Sequence, residues 1–318
     1  MKLNACLLFA LSAALSSSLS SALAAPVLGA DAPAAPNRFL SAAAPAERFE
    51  IKGMLVERHG SAGRPLVLIP GLASGGWVWQ ETVREFAPSH AVYVVTLPGF
   101  DGRPAPEGDP YEAARGALLE LIASRRLAKP VLVGHSLGGT LAIELAAAEP
   151  ARIGAVVSLD GLPVMPRTED MPLEQRAQMA QGMRAQMAAV QGPAFAAQQR
   201  QYMRNIGMVD IGKADDAARL TARSDPQAVA AYVGAVLARD LRPRLPAIAA
   251  PVLLLAPWFA PDSAQQGITA GEKLAYYREL MTGTRRLDVA PIDNARHFAM
   301  IDQPRAFNDA LRQFLNTL

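Results

Sequence analysis

Cysteine is almost missing: the 318 residues include one, Cys6. It falls in an N-terminal stretch with the marks of a cleaved leader. The chain that remains would have no disulfide, no thiolate metal site and no cysteine nucleophile. Histidine is scarce as well, with four residues (His59, His90, His135 and His297) dispersed along the sequence, and the early pair, His59 and His90, read as surface-turn residues. None sits in H-E-x-x-H or H-x-x-E-H spacing, so no metal site is expected. No dinucleotide-type glycine fingerprint follows the first strand, so no organic cofactor is indicated. Charge of either sign is nearly balanced, 31 Lys and Arg against 29 Asp and Glu. Without a basic stripe, nucleic acid is not an expected partner. No internal repeat is present.

Long apolar runs are also lacking. Residues 5–15 are apolar, but Ser16, Ser17 and Ser18 break the run short of a membrane span. Lys2 before it and Ala22-Leu23-Ala24 after it complete the pattern of a secretory signal peptide, residues 1–24, with Ala25 as the mature N-terminus. The expectation is an exported protein, periplasmic or secreted, with no stable membrane insertion after cleavage. Residues 25–47 are rich in Ala and Pro without steady periodicity and read as a flexible leader. The 51% hydrophobic and 19% charged content then suits one large α/β domain with an inserted subdomain.

What the chain does have is concentrated in residues 131–140, Val-Leu-Val-Gly-His-Ser-Leu-Gly-Gly-Thr. A short apolar run suited to a buried parallel strand leads into Gly134-His135-Ser136-Leu137-Gly138, and an Ala/Leu-rich helix follows. The glycines permit a sharp strand-to-helix turn that lifts the Ser136 hydroxyl clear of the sheet. The same turn sets the Leu137 N–H at a helix N-terminus, where negative charge is favoured. Strand-like runs recur at residues 49–58, 65–69, 91–97, 153–159, 251–255 and 286–290, separated by helical spacing. Between residues 164 and 244 this alternation stops and the composition is helical. Met179, Met183 and Met187, four residues apart, share one helix face there. Residues 256–271 read as a loop and residues 272–281 as a helix.

Ser136 in its Gly-x-Ser-x-Gly turn, Ile69-Pro70-Gly71-Leu72, Leu97-Pro98-Gly99-Phe100 and Ala295-Arg296-His297-Phe298 together resemble the α/β-hydrolase superfamily. The resemblance covers nearly all of the chain after about Phe49. It implies a mostly parallel eight-stranded sheet flanked by helices, with core segments 48–163 and 245–318 and an inserted helical cap at 164–244. It also implies a serine hydrolase acting on esters or related acyl compounds without a cofactor. Ser136 would be the nucleophile, His297 the base, and the Leu72 and Leu137 N–H groups the oxyanion hole.

Two aspartates compete for the triad acid. The superfamily usually places it after the strand at 251–255, but alanine stands at that point and Asp262 comes two residues late. Asp160 ends the strand after the nucleophile helix, a position some superfamily members use. Its attachment to a buried strand favours it over Asp262. Asp293 is a third, weaker choice. For the substrate pocket the sequence offers Trp77 and Trp258 in loops near the sheet's carboxyl edge, with Met179, Met183 and Met187 as a soft roof for a small apolar acyl group. The same methionines equally suit plain helix packing. Other cofactor-free reactions of the fold (C–C bond, lactone or amide cleavage, perhydrolysis) stay open, as does a catalytically silent binding protein. An aspartate would be needed at 136 for dehalogenation. Oligomeric state is not legible.

Overall fold

The computed structural model describes residues 37–40 and 43–318. The expected signal peptide, residues 1–24, and most of the expected leader lie outside the described residues. Eight strands form one sheet: β1 Glu47–Ile51, β2 Met54–His59, β3 Leu66–Ile69, β4 Val92–Thr96, β5 Val131–His135, β6 Ala155–Leu159, β7 Val252–Trp258 and β8 Leu287–Asp293. Their spatial order is β1-β2-β4-β3-β5-β6-β7-β8. β1 and β2 pair antiparallel through a tight turn at Lys52-Gly53, β2 pairs antiparallel with β4, and every later pairing is parallel. β3 to β6 are buried along their whole length, as strands covered on both faces must be, which explains their unbroken Val/Leu/Ile runs.

Helices cover both faces: α1 Gln80–Phe86, α2 Pro110–Ser124 and α3 Leu137–Ala148 in the first half of the chain. The cap enters between β6 and β7 and consists of α4 Leu173–Ala188, α5 Gly192–Tyr202, α6 Ile211–Thr221 and α7 Pro226–Ala238. A π-turn, Met203–Gly207, continues α5. α8 Ala260–Gln266, α9 Ala270–Leu280, α10 Ala299–Asp302 and α11 Pro304–Leu315 complete the chain.

Three expectations need correction. The stretch after β7 is not one loop: Pro261 and Asp262 open α8, and Gly267 at φ +65° ends it. Proline fits the first helical turn because its missing N–H is not needed there, and an acid is favoured there, so residues that read as loop signals are helix-start signals. The leader is not flexible throughout. Arg38–Leu40 forms a 3₁₀ turn, Asn37 donates to the Asp216 carbonyl of α6 at 2.7 Å, and the Phe39 ring lies 5.2 Å from that of Trp77. Partial burial of Phe39 and the Arg38–Asp216 ion pair at 2.5 Å hold it. His59, expected in a surface turn, is buried at the end of β2 beside β4.

Candidate active site

Three side chains converge at the carboxyl end of the central strands. Ser136 follows β5 with φ +53° and ψ −118°, a conformation a non-glycine residue adopts only when its surroundings over-determine it. Its N–H is held by the Leu159 carbonyl at 2.8 Å and its carbonyl accepts from the Thr140 N–H at 3.0 Å. Gly138 supplies the clearance, since a Cβ there would stand 2.6 Å from the Pro70 carbonyl oxygen. Leu137 begins α3, so its N–H has no carbonyl one turn back to bind.

Asp160 follows β6, the strand beside β5. Its N–H bonds the Leu255 carbonyl at 2.9 Å, and the residue takes φ +54° itself. The carboxylate receives the His297 Nδ1–H at 2.5 Å on one oxygen and the Tyr277 hydroxyl on the other. Burial raises this carboxyl, but the His297 bond and charge, Lys273 and the Tyr277 bond outweigh it and hold it below the usual carboxylate range. Tyr277, buried in α9 beside the Asp160 charge, is pushed far above the usual phenol range and keeps its proton as a donor.

His297 follows β8 on a loop whose backbone is tied residue by residue. The Ala295 N–H bonds the Trp258 carbonyl at 3.0 Å and the Arg296 N–H an Asp302 oxygen at 2.9 Å. The His297 N–H bonds the Ile206 carbonyl at 3.2 Å and the Phe298 N–H the Gly207 carbonyl at 2.9 Å. Two of those acceptors belong to the π-turn of the cap, whose wider winding serves the histidine loop. His135, the second residue before Leu137, points away from solvent and sets its Nε2 3.0 Å from the His297 carbonyl. Since a carbonyl only accepts, Nε2 carries the proton. Burial, with His297 close by, lowers this imidazole well below its usual range and keeps it neutral. Among the described residues the Ser136 hydroxyl makes no hydrogen bond. Catalytic contacts of this kind often tighten only with substrate present.

The second oxyanion candidate belongs to a loop that packs on the serine turn. Leu72 lies in the loop after β3, and a Cβ on neighbouring Gly71 would be 3.2 Å from the Ser136 Cβ. The loop therefore rests against the serine turn. Its N–H makes no hydrogen bond among the described residues.

Asp262 is elsewhere engaged. Both of its oxygens receive the Arg296 guanidinium at 2.8 Å, and the same guanidinium donates to the Arg204 carbonyl at 2.8 Å and the Met208 carbonyl at 3.2 Å. It anchors the clamp between histidine loop and cap, and no contact joins it to His297. Asp293, in β8, pairs in register with Trp258 and is not brought to His297 either. Of the pocket candidates, Met187 is buried, while Met179, Met183 and Leu72 are half-buried against the apolar cluster that contains Leu137. Trp77 is buried in the cluster on the other face of the sheet, stacked near Phe39, and acts in packing rather than as an exposed pocket wall. Trp258 is half-buried at the end of β7. A cavity of about 280 Å³ beside Arg64, Lys129 and Arg286 opens at the amino ends of the strands, remote from Ser136.

Sequence reasoning missed Tyr277, Tyr202 and Arg296. Tyr202 ends α5, with its ring edge-on to His297 at 6.3 Å. Only the proximity of Arg296 to His297 in the chain gave any signal.

The fold and this constellation define the class. The model of the alpha/beta hydrolase family matches residues 66–310, and the chain belongs to that family. It is 34% identical over 117 residues to a pimeloyl-[acyl-carrier protein] methyl ester esterase of Aeromonas salmonicida, covering 37% of this chain and 45% of that protein. It is 34% identical over 132 residues to a 2-succinyl-6-hydroxy-2,4-cyclohexadiene-1-carboxylate synthase of Escherichia coli, covering 41% of this chain and 52% of that protein. The chain thus spans about half the length of these curated relatives. A thermophilic esterase from Thermogutta terrifontis has a similar fold, with TM-score 0.67 and 22% identity over 86% of this chain and 99% of that one.

Proposed function

We propose that this protein is an exported serine hydrolase that cleaves carboxylic esters through an acyl-enzyme. The observation that carries the reading is the 2.5 Å contact between His297 Nδ1 and Asp160, set beside a serine held at positive φ. The Ser136 oxygen attacks the ester carbonyl as its proton passes to His297 Nε2. Asp160 keeps the proton of Nδ1 in place, fixes the tautomer and stabilises the imidazolium. The Leu72 and Leu137 N–H groups hold the oxyanion. Collapse expels the alcohol, which takes the proton from Nε2, and water then cleaves the acyl group from Ser136 by the same steps in reverse order. The named esterase relatives support the ester as substrate class. Half-buried Met179 and Met183, with Leu72, supply an adaptable apolar wall and favour a short-to-medium acyl group.

A series of p-nitrophenyl esters of increasing acyl length, with lactone and amide controls, tests the reading. Turnover should be greatest for the shorter esters and should vanish in Ser136→Ala. Turnover of lactone or amide with none of any ester would refute it. The similarity to a synthase supports a second reading, a cofactor-free lyase reaction in which the same residues move protons without an acyl-enzyme. That reading predicts no burst of p-nitrophenol.

A further inference from the structure

The loop that carries the Leu72 N–H does not hold itself. Its Gly71 carbonyl accepts from the Ser74 N–H at 3.2 Å and its Leu72 carbonyl from the Ser74 hydroxyl at 3.2 Å. The next carbonyl, that of Ala73, has no partner inside the loop. It accepts from the hydroxyl of Ser224, at 2.9 Å, and Ser224 belongs to the cap. Ala73 stands at φ +56°, where a non-glycine residue persists only if its neighbours fix it.

Ser224 is itself fixed from the other side. It is buried in the turn between α6 and α7, and its oxygen accepts the Asp101 N–H at 3.0 Å. The turn around it is sewn to the loop after β4. The Gly102 N–H bonds the Arg223 carbonyl at 3.1 Å, the Asp225 N–H bonds the Gly99 carbonyl at 2.8 Å, and the Tyr232 hydroxyl bonds the Pro98 carbonyl at 3.2 Å. The Arg223 guanidinium lies 3.4 Å from the Asp101 carboxylate. A side chain at Gly75 would collide with that carboxylate, so the far end of the Leu72 loop leans on the same acid. The Gly76 N–H, next along, is held by the Thr96 hydroxyl at 2.9 Å.

We propose that Ser224 is a positioning residue through which the cap sets the backbone of the Leu72 loop. The proposal rests on the reading of Leu72 as an oxyanion donor. An oxyanion donor acts only if it is held within a fraction of an ångström of its place before the reaction. Without the Ser224 hydroxyl, both the Ala73 carbonyl and the Asp101 N–H lose a buried partner, and Ala73 is free to leave its left-handed conformation. The hydrogen bond spans cap and core, so the oxyanion hole is complete only while this turn of the cap is docked.

The test compares Ser224→Ala and Ser224→Thr with the wild-type full chain. The readouts are p-nitrophenyl butyrate hydrolysis and the rate of labelling by a fluorophosphonate, whose phosphonyl oxygen enters the same hole. For Ser224→Ala, kcat is expected to fall by about tenfold or more, short of the roughly 10² to 10³ for outright loss of a donor, with KM changed by less than about twofold. The labelling rate should fall with kcat, and Ser224→Thr, which keeps the hydroxyl, should restore both. An unchanged kcat and labelling rate in folded Ser224→Ala overturns the proposal, as does a loss confined to KM. If Ser224→Ala does not fold, Ser224→Cys, slightly larger and a weaker donor, carries the same two outcomes. A wild-type protein that is never labelled at Ser136 overturns the hydrolase reading instead, so the two failures are distinct.

Discussion

Replacing Asp160 by Asn separates a positioned acid from a merely nearby one. Asn keeps the size of the side chain but turns one carboxylate oxygen into an NH₂ group. With the Tyr277 hydroxyl donating to one oxygen, the remaining oxygen of the amide is drawn toward Tyr277 and the NH₂ toward His297 Nδ1. His297 must then carry its proton on Nε2, where it cannot accept one from Ser136. The expected fall in kcat is on the order of 10⁴, about 5 kcal/mol of lost transition-state stabilisation. Asp262→Asn weakens a bidentate pair with Arg296 that is itself one link away from His297. Its effect should stay within about tenfold in kcat, with about 1–2 kcal/mol of stability lost. The assay is kcat on p-nitrophenyl butyrate for both variants, after circular dichroism shows that each is folded. A crippled Asp262→Asn beside an active Asp160→Asn would refute the assignment.

Burial lifts the Asp101 carboxyl from 3.8 to about 6, against the pull of Arg223 and with a further push from Glu57. The folded state then holds this proton more tightly than the unfolded state. Stability falls as pH rises from about 4 to 6, and above that the charged group costs up to about 3 kcal/mol. Asp101→Asn should therefore melt higher than wild type at pH 7.5, with the difference gone below pH ~4; a lower melting point at pH 7.5 contradicts this. Serine at Met179 and Met183 together should alter relative rates along the ester series if they wall the pocket, and unchanged ratios with a lower melting point would make them packing residues. Protein from the native host should begin at Ala25, and Edman sequencing that reads Met1 from cytoplasmic protein would refute export.

The order of elements was legible because each buried strand is a short apolar run and each crossover is a helix of ordinary spacing. Ser136 was legible because its glycines answer a steric demand, visible in how closely Gly138 approaches Pro70. Asp160 was ranked above Asp262 on the rigidity of a strand end, and the geometry sets Asp160, not Asp262, against His297. Asp160 itself takes the positive φ, and Gly161 is needed because a Cβ there would sit 2.6 Å from the Gly139 Cα. What was hidden depends on contacts distant in sequence. α8 was masked by Pro261, which marks a loop or a helix start equally well. The π-turn at Met203–Gly207 answers to N–H groups some ninety residues away. Trp77 read as a loop aromatic because nothing local shows that Phe39 covers it.

The central claim is that Ser136 forms a covalent bond during catalysis. Intact-mass measurement after brief exposure to a fluorophosphonate, followed by peptide mapping, tests it directly. One phosphonyl adduct per chain, located on Ser136 and absent from Ser136→Ala, is the predicted result. An unmodified wild-type chain, or an adduct that persists at full strength in Ser136→Ala, would contradict the account.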